Sequence, residues 1–363
     1  MKYKYKVCVY AICKNEEKFV DRWYESMKEA DEIYVLDTGS DDKTVSKLKS
    51  HGVNVKQEKI DPWRFDVARN MSLDLVPMDT DICVCTDLDE VFLPGWREKM
   101  EKCWKEGTTR LRYIYNWRLD GDKPIVSFYY EKTHARVGYK WVHPVHEVLT
   151  CSLERENVIT CNSIVLNHYP DNTKSRGSYL PLLELSVRED PEDDRNMHYL
   201  GREYMYYGRY NEAIETLIKH LNLKRATWNL ERAASMRFIG RCYLNLGRVD
   251  EARIWYMKAI NEAPNLRDGL VELAMLEYNQ KNYLEVINYL TRALIIKNHE
   301  KIYINEVFSW DYTIYNLLSC SYYYLGLFDI SLFYIDKALL NDENNKMLIE
   351  NKKIILEKIK EPV

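Results

Sequence analysis

The residues Ile82-Cys83-Val84-Cys85 form an apolar run, and Asp87, Asp89 and Glu90 follow at once. A buried strand that ends in carboxylates gathers like charges where water is scarce. Two bare carboxylates held that close repel, and one would tend to keep a proton. If the chain stays extended through Asp87 and Asp89, both side chains point to one side of the strand. A divalent cation removes the conflict. Oxygen donors with no thiolate pair beside them suit Mg²⁺ or Mn²⁺, ions commonly shared with a diphosphate. A lone D-x-D also occurs in ordinary acidic surface turns, so its companions decide.

Two other segments end in the same way. KVCVYAI (6–12) runs into CKNEE (13–17), and EIYVLD (32–37) runs into TGSDDKT (38–44). Ligands of open parallel sheets bind beyond the carboxyl ends of the strands. If these strands are parallel, all three polar clusters share one edge. The DTGSDDKT stretch also has a structural reading, a tight turn with Asp42 or Ser40 starting a helix. The two readings are compatible, with Asp37 binding a base or ribose while its neighbours cap.

The elements that must carry these clusters alternate up to about residue 185. Residues 17–30 place apolar side chains at helical spacing, 44–50 and 66–75 read as helices, and 52–55 and the ICVC run read as strands. Such alternation predicts an α/β fold with a mostly parallel, covered sheet. After about residue 190 the strand signals stop and an internal repeat begins. LGREYMYYGRYNEA (200–213) matches IGRCYLNLGRVDEA (239–252), so that Gly201, Gly208 and Ala213 correspond to Gly240, Gly247 and Ala252. Weaker copies run through Ala274, Tyr283 and Ala293 and through Ser319, Gly326 and Ala338, and residues 343–360 read as a capping helix. This resembles the tetratricopeptide repeat, in which small residues let antiparallel helices approach. SVREDPEDDRN (186–196) is a linker or helix start. The expected organisation is therefore 1–185 and 190–363. Trp228 and Trp255 are expected in the core of the second part.

Composition bounds the alternatives. Hydrophobic residues at 46% and charged residues at 30% describe a globular chain, and a net charge of −4 speaks against a nucleic-acid coat or a polybasic membrane anchor. The 29 tyrosines against 8 phenylalanines fit groove or helix-pair packing, or a base-composition bias of the genome. The nine cysteines include no C-x-x-C pair and several lie in apolar runs, so they read as reduced core residues of a cytoplasmic protein. The N-terminal residues read as a first strand rather than a signal peptide, and no apolar stretch is long enough to span a membrane.

Together ICKNEE (12–17), DEIYVLDTGSDDKT (31–44), FDVARNMSL (65–73), CTDLDE (85–90), VHPVHEVL (142–149) and LNHYP (166–170) resemble, in order, the family-2 glycosyltransferases of the GT-A fold. The match covers about residues 5–185, and the second part resembles the tetratricopeptide extension of one bacterial branch of that family. That branch includes enzymes that glycosylate proteins or peptides, among them bacteriocin S-glycosyltransferases. The resemblance implies a UDP-sugar donor, inverting transfer and a protein or peptide acceptor. It implies that the main chain at Ile12 and Lys14, with Asp37, holds the uridine, and that Arg69 and Asn70 seat the nucleotide or sugar. Asp87 would contact the ribose or a metal-bound water, and Asp89 would ligate Mn²⁺ or Mg²⁺. A late histidine would complete the metal site, His168 first and His146 second. Lys174 and Arg176 follow in a loop that could close over the diphosphate.

Transfer also needs a base for the acceptor's proton. Glu147, in HPVHEVL, is the candidate, and its structural alternative is an ion pair with Arg136. The repeats would supply acceptor specificity or a homodimer surface. Competing readings are a non-catalytic repeat scaffold with a relic nucleotide-sugar domain, and a metal-dependent hydrolase using His143, His146 and the aspartates. Walker A and G-x-G-x-x-G patterns are absent, which disfavours P-loop and dinucleotide enzymes.

Overall fold

The structure, a computed structural model, describes residues 3–171, 173, 177, 179–300 and 302–360. Lys174 and Arg176 lie outside the described residues. The chain divides into two compact units, one reaching to Ser186 and one made of Val187–Glu300 and the chain from Ile304 onward.

In the first unit β1 (Val7–Cys13), β2 (Glu32–Asp37), β3 (Asn54–Gln57) and β4 (Ile82–Cys85) alternate with α1 (Glu17–Met27), α2 (Thr44–Ser50) and α3 (Phe65–Asp74). β5 (Glu90–Phe92), α4 (Trp96–Cys103), β6 (Arg110–Asp120), β7 (Lys123–Ala135), β8 (Tyr139–Val142), β9 (Val148–Cys151), β10 (Val158–His168) and α5 (Tyr179–Glu189) follow. The main sheet has eight strands in the order β3-β2-β1-β4-β7-β6-β10-β5, and β8 and β9 form a separate ribbon.

The expected mostly parallel sheet is half of the answer. β3, β2, β1 and β4 are parallel, but β7 joins β4 antiparallel and β6 joins β7 antiparallel, so the sheet is mixed. The long strands β6, β7 and β10 carry polar and aromatic residues in irregular alternation, with register shifts along β6–β7 and β6–β10. That pattern lacks the continuous apolar run by which buried parallel strands are recognised.

β1 shows how both faces are covered. Val7, Val9 and Ala11 enter a core with Trp23, Met27 and Leu48, on the side of α1 and α2. Cys8 and Tyr10 enter a second core with Leu73, Cys83, Cys85, Trp141 and Leu149, under α3 and the β8–β9 ribbon. Most cysteines are thus apolar lining, as expected, but not all are reduced. Cys103 at the end of α4 and Cys161 in β10 form a disulfide, while the other seven are thiols. Their distance in sequence hid the pair.

The second unit is helical: α6 (Asp194–Tyr206), α7 (Tyr210–Asn222), α8 (Asn229–Asn245), α9 (Val249–Glu262), α10 (Asp268–Asn279), α11 (Tyr283–Ile295), α12 (Thr313–Tyr324), α13 (Phe328–Leu339) and α14 (Lys346–Lys360). Among the described residues four antiparallel pairs, α6–α7, α8–α9, α10–α11 and α12–α13, are followed by α14, which buries Leu348 and Ile355. The turn inside each pair takes a left-handed residue: Gly208 at φ +73°, Gly247 at +74°, Lys281 at +61° and Gly326 at +75°. This corrects the third repeat, which lacks the glycine and whose turn residue is Lys281, not Tyr283. In that register Ala213, Ala252, Val286 and Ser331 are equivalent, and all are fully buried. Trp228 is exposed and Trp255 only half-buried, against expectation. Tyr256, the next residue along α9, packs instead.

Gly201 and Gly240 sit where two helices touch. A Cβ on Gly201 would lie 2.5 Å from the Leu217 side chain, and one on Gly240 2.7 Å from the Tyr256 ring. Replacing Gly240 by Ala is therefore expected to destabilise the chain by about 1–3 kcal/mol through overpacking. A lowered urea midpoint checks this, and an unchanged midpoint refutes it.

In the first unit, Trp141 Nε1 donates to the Tyr10 hydroxyl (2.9 Å), which donates to His134 Nε2 (2.8 Å), while His134 Nδ1 donates to the Ala135 carbonyl (2.7 Å). Burial pushes the His134 imidazole down to about 3, so it is neutral. The unfolded chain takes up this proton near pH 6.5 and the folded chain does not. The neutral form therefore supports the fold fully above pH 6.5, and that support is lost as pH falls towards 3, by up to ~1.4 kcal/mol per pH unit. His134→Gln keeps a donor and an acceptor but cannot titrate. Its urea stability should fall less than wild type between pH 7 and pH 5, and equal losses would exclude His134 as a source.

Candidate active site at the strand ends

The parallel register brings three strand ends level. Cys13 pairs with Asp37, and Tyr10 with Cys85, so the residues after β1, β2 and β4 leave the sheet at one edge. The loops after β1 and β2 are stitched together. Asn15 N donates to Ser40 Oγ (2.8 Å), Asp41 N to Asn15 Oδ1 (2.9 Å), Glu16 N to Thr44 Oγ1 (2.7 Å) and Lys43 N to Glu17 Oε2 (2.8 Å). Asp37 is fully buried, and its Oδ1 accepts from Gly39 N (3.2 Å) and Ser40 N (3.1 Å) while the Ser40 hydroxyl donates to Oδ2. Gly39 supplies the φ of +108° that this turn needs. The Asp37 carboxylate thus shapes its own loop. Ile12 is half-buried in β1 and Lys14 is exposed on the loop that follows. Asp42 Oδ1 accepts from Thr44 N (2.9 Å) at the start of α2.

The carboxylates after β4 sit in a turn, not in extended chain, so Asp87 and Asp89 do not point the same way. Asp87 faces inward. Arg69 Nη2 donates to its Oδ1 (2.5 Å) and Lys132 Nζ to its Oδ2 (3.1 Å). Burial alone would raise the Asp87 carboxyl, but these two cations outweigh it and hold it well below the usual carboxylate range. Its charge is met by protein cations, which corrects the expectation that a metal ion must relieve it. Glu90 is buried beside it and accepts from Asp87 N at Oε2 (2.9 Å). Burial raises its carboxyl, against Lys132 Nζ at 3.7 Å.

Asp89 faces the other way, towards His168. β5 pairs antiparallel with β10, setting His168 opposite Glu90, and Tyr169 N donates to the Asp89 carbonyl (2.8 Å). Asp89 Oδ2 lies 3.4 Å from His168 Nε2. His168 Nδ1 donates to the Trp117 carbonyl (3.0 Å), and the ring stacks on the Trp117 indole at 4.5 Å. Burial works to lower the imidazole, but Asp89 beside it raises it on balance. Among the described residues Asp89 and His168 form a pair, not a three-ligand cluster. His146 lies in the bend before β9 at φ +50°, its ring 5.7 Å from that of Tyr179, and His143 takes φ +78° in the same bend.

Arg69, buried on α3, joins the two sides of the site. Its Nε donates to Glu147 Oε1 (3.0 Å), so the partner of Glu147 is Arg69 and not Arg136, whose Nε donates to the Val76 carbonyl. Asn70, one residue on, gives its amide to the main chain of Trp141 in both directions (2.8 and 2.9 Å). It docks the β8–β9 ribbon onto α3. Lys132 escaped sequence reading. Its signal is a lysine inside the aromatic run SFYYEKTHA of β7, flanked by Tyr130 over which its ammonium lies (4.7 Å).

Residues 8–148 match the family model described as glycosyl transferase family 2, and residues 238–266 match a tetratricopeptide-repeat model. None of the curated proteins matches the chain significantly. Solved structures similar to it include a MamA protein, at 20% identity over 47% of this chain and 87% of that one, with a TM-score of 0.37. A thermophilic TPR protein of Thermus thermophilus aligns at 18% identity over 50% of this chain and 90% of that one, with a TM-score of 0.36. The Cut9 chain of an APC/C hetero-tetramer with Hcn1 aligns at 16% identity and a TM-score of 0.41, over 51% of this chain but only 33% of that one. No helix among the described residues is long and apolar enough to cross a membrane. With the mixed sheet, the strand-end site and the left-handed turn recurring in each helix pair, the family models place a family 2 glycosyltransferase domain ahead of tetratricopeptide repeats in this chain.

Proposed function

We propose that the first unit transfers a sugar, with inversion, from a UDP-sugar to a nucleophilic side chain of a protein or peptide, and that Mn²⁺ or Mg²⁺ assists. The observation that carries this reading is the division of labour between the two aspartates. Asp87 is spent on Arg69 and Lys132, whereas Asp89 and the Nε2 lone pair of His168 converge at the lip of the sheet. The Trp117 carbonyl holds the proton on Nδ1, the arrangement by which a histidine ligand is oriented. One carboxylate and one imidazole fit a divalent ion that takes its other ligands from water and a diphosphate, and the imidazole favours Mn²⁺ over Mg²⁺. Bound there, the ion would stabilise the charge of the departing nucleotide.

The chain's own groups have distinct tasks in this reading. Main chain at Ile12 and Lys14 lines the uridine side, with Asp37 fixing the loop that closes it. Arg69 and Lys132 set a positive field behind the strand ends and hold Asp87 ionised for a ribose hydroxyl or a bound water. Asn70 keeps the β8–β9 ribbon, and with it Glu147, in place. Glu147 is the base: Arg69 holds Oε1, and Oε2 takes the acceptor's proton. A cysteine acceptor, with its pKa near 8.5, would ask less of that base. The repeats present the acceptor.

A thermal-shift panel with UDP, GDP, ADP and CDP, each with and without Mn²⁺, tests the donor. UDP with Mn²⁺ should raise the melting midpoint by roughly 3–6 °C, and the gain should vanish in Asp89→Ala and His168→Ala. A flat panel from a folded protein would favour a non-catalytic scaffold, and a response to Mn²⁺ alone a hydrolase. Glu147→Gln should keep the UDP response yet slow sugar transfer to a peptide pool, followed by mass spectrometry, by about 10²–10⁴-fold. Transfer within a few-fold of wild type would remove Glu147 from the role of base.

A further inference from the structure

The second unit holds a cluster of potential metal ligands that lies outside the candidate sugar-transfer residues. Asp194 opens α6, His220 lies in the last turn of α7, and Glu231 lies in the first turn of α8. One ligand atom from each falls within 4.8 Å of the others. Glu231 is buried, Asp194 half-buried and His220 fully buried.

His220 is the telling member. Its Nδ1 lies 2.9 Å from Ser235 Oγ, one helical turn beyond Glu231. Ser235 Oγ also lies 2.7 Å from His198 Nδ1. A serine hydroxyl can accept from one ring and donate to the other. If His220 donates its Nδ1–H to Ser235 and Ser235 donates to His198 Nδ1, each contact is satisfied once. His220 Nε2 is then a bare lone pair. That nitrogen is buried and has no hydrogen-bond partner. The facing carboxylate oxygen, Glu231 Oε1, is 3.6 Å away, too far for a hydrogen bond. Burying a nitrogen unsatisfied costs roughly 1–3 kcal/mol.

We infer that Asp194, His220 and Glu231 form a divalent transition-metal site, fitted to Zn²⁺, that clasps α6, α7 and α8. The donor set, one imidazole and two carboxylates, is a zinc-type set, and a hydroxyl on the far ring nitrogen is the second partner such a ligand takes. Ligands about 2.1 Å from a tetrahedral ion are ~3.4 Å apart, so small side-chain rotations close the cluster. The start of α6 carries partial positive charge, which opposes a cation, and two carboxylates outweigh it. The ion would join three helices that backbone hydrogen bonds leave separate.

The test uses the full chain carrying Asp89→Ala and His168→Ala, which removes the first unit's metal pair. After chelator treatment, dialysis against Zn²⁺ should leave about one ion per chain, with visible absorption bands when Co²⁺ replaces it. Zinc should raise the melting midpoint by roughly 5 °C. Asp194→Asn, at a half-buried position, and His220→Gln should each lower zinc affinity at least tenfold. Asp194→Asn keeps the test decisive should His220→Gln not fold. No zinc on the folded background chain, or zinc retained by Asp194→Asn on surface thiols or elsewhere, overturns the site. Neither result bears on the UDP panel, which reports the first unit.

Discussion

A half-buried carboxylate held between a buried arginine and a buried lysine governs the first unit. Asp87 leaves β4, Arg69 comes from α3 and Lys132 from β7, so three elements meet on one charge. Neither cation could be buried alone, because an isolated buried ion costs several kcal/mol. Their attraction to Asp87 therefore selects one register for β7 against β4 and one placement for α3. Arg69 extends the constraint to Glu147 and, through the neighbouring Asn70, to the β8–β9 ribbon. A buried ion network is a poor source of net stability but a strong source of uniqueness, since any misplacement leaves a charge unpaired.

The second unit is specified differently. Its repeats are marked by small residues and turns. Gly201, Gly240, Ala274 and Ser319 are buried or helix-facing at equivalent points, and Leu217, Tyr256, Leu290 and Ile335 fill the same place on the partner helix of each pair. Each pair buries its own seam, and the next pair covers what remains. The third repeat shows which part of the pattern is dispensable. Lys281 adopts the left-handed turn without glycine. The cost of that conformation is about 1–2 kcal/mol, small beside the burial of a whole helix seam.

The difference explains what was legible in the sequence. Short-range signals gave α2 to the residue and placed β1, β2, β4 and α3 within a residue or so, because apolar periodicity and turn residues act locally. The shared strand-end edge was legible because parallel order follows from alternation of strand and helix. β6, β7 and β10 were not, since their pairing is antiparallel and distant, and their alternation is broken by register shifts. Lys132 was hidden for the same reason: nothing in its neighbours says that β7 will lie beside β4. Asp37, Asn70 and Glu147 were picked out by type, but their partners, the Gly39–Ser40 amides, the Trp141 main chain and Arg69, come from packing. The disulfide between Cys103 and Cys161 was invisible to spacing rules because its halves are 58 residues apart.

That disulfide and the candidate metal pair share a strand. β10 runs from Val158 to His168 and holds Cys161 near its start and His168 at its end. At its far end β10 lies between β6 and the edge strand β5, a strand of three residues, whose pairing sets His168 opposite Glu90 and leaves Asp89 in the turn just before it. A three-residue strand supplies few hydrogen bonds, so β10 needs other restraints if His168 is to stay beside Asp89. β6 provides one along its length, the Trp117 carbonyl and indole hold the His168 ring itself, and the bond from Cys161 to α4 anchors the strand covalently. In the chain-entropy view, closing a loop of 58 residues is worth about 4 kcal/mol against the unfolded chain. The covalent tie thus falls on the one edge of the sheet where the pairing is shortest and the position of a single imidazole matters most.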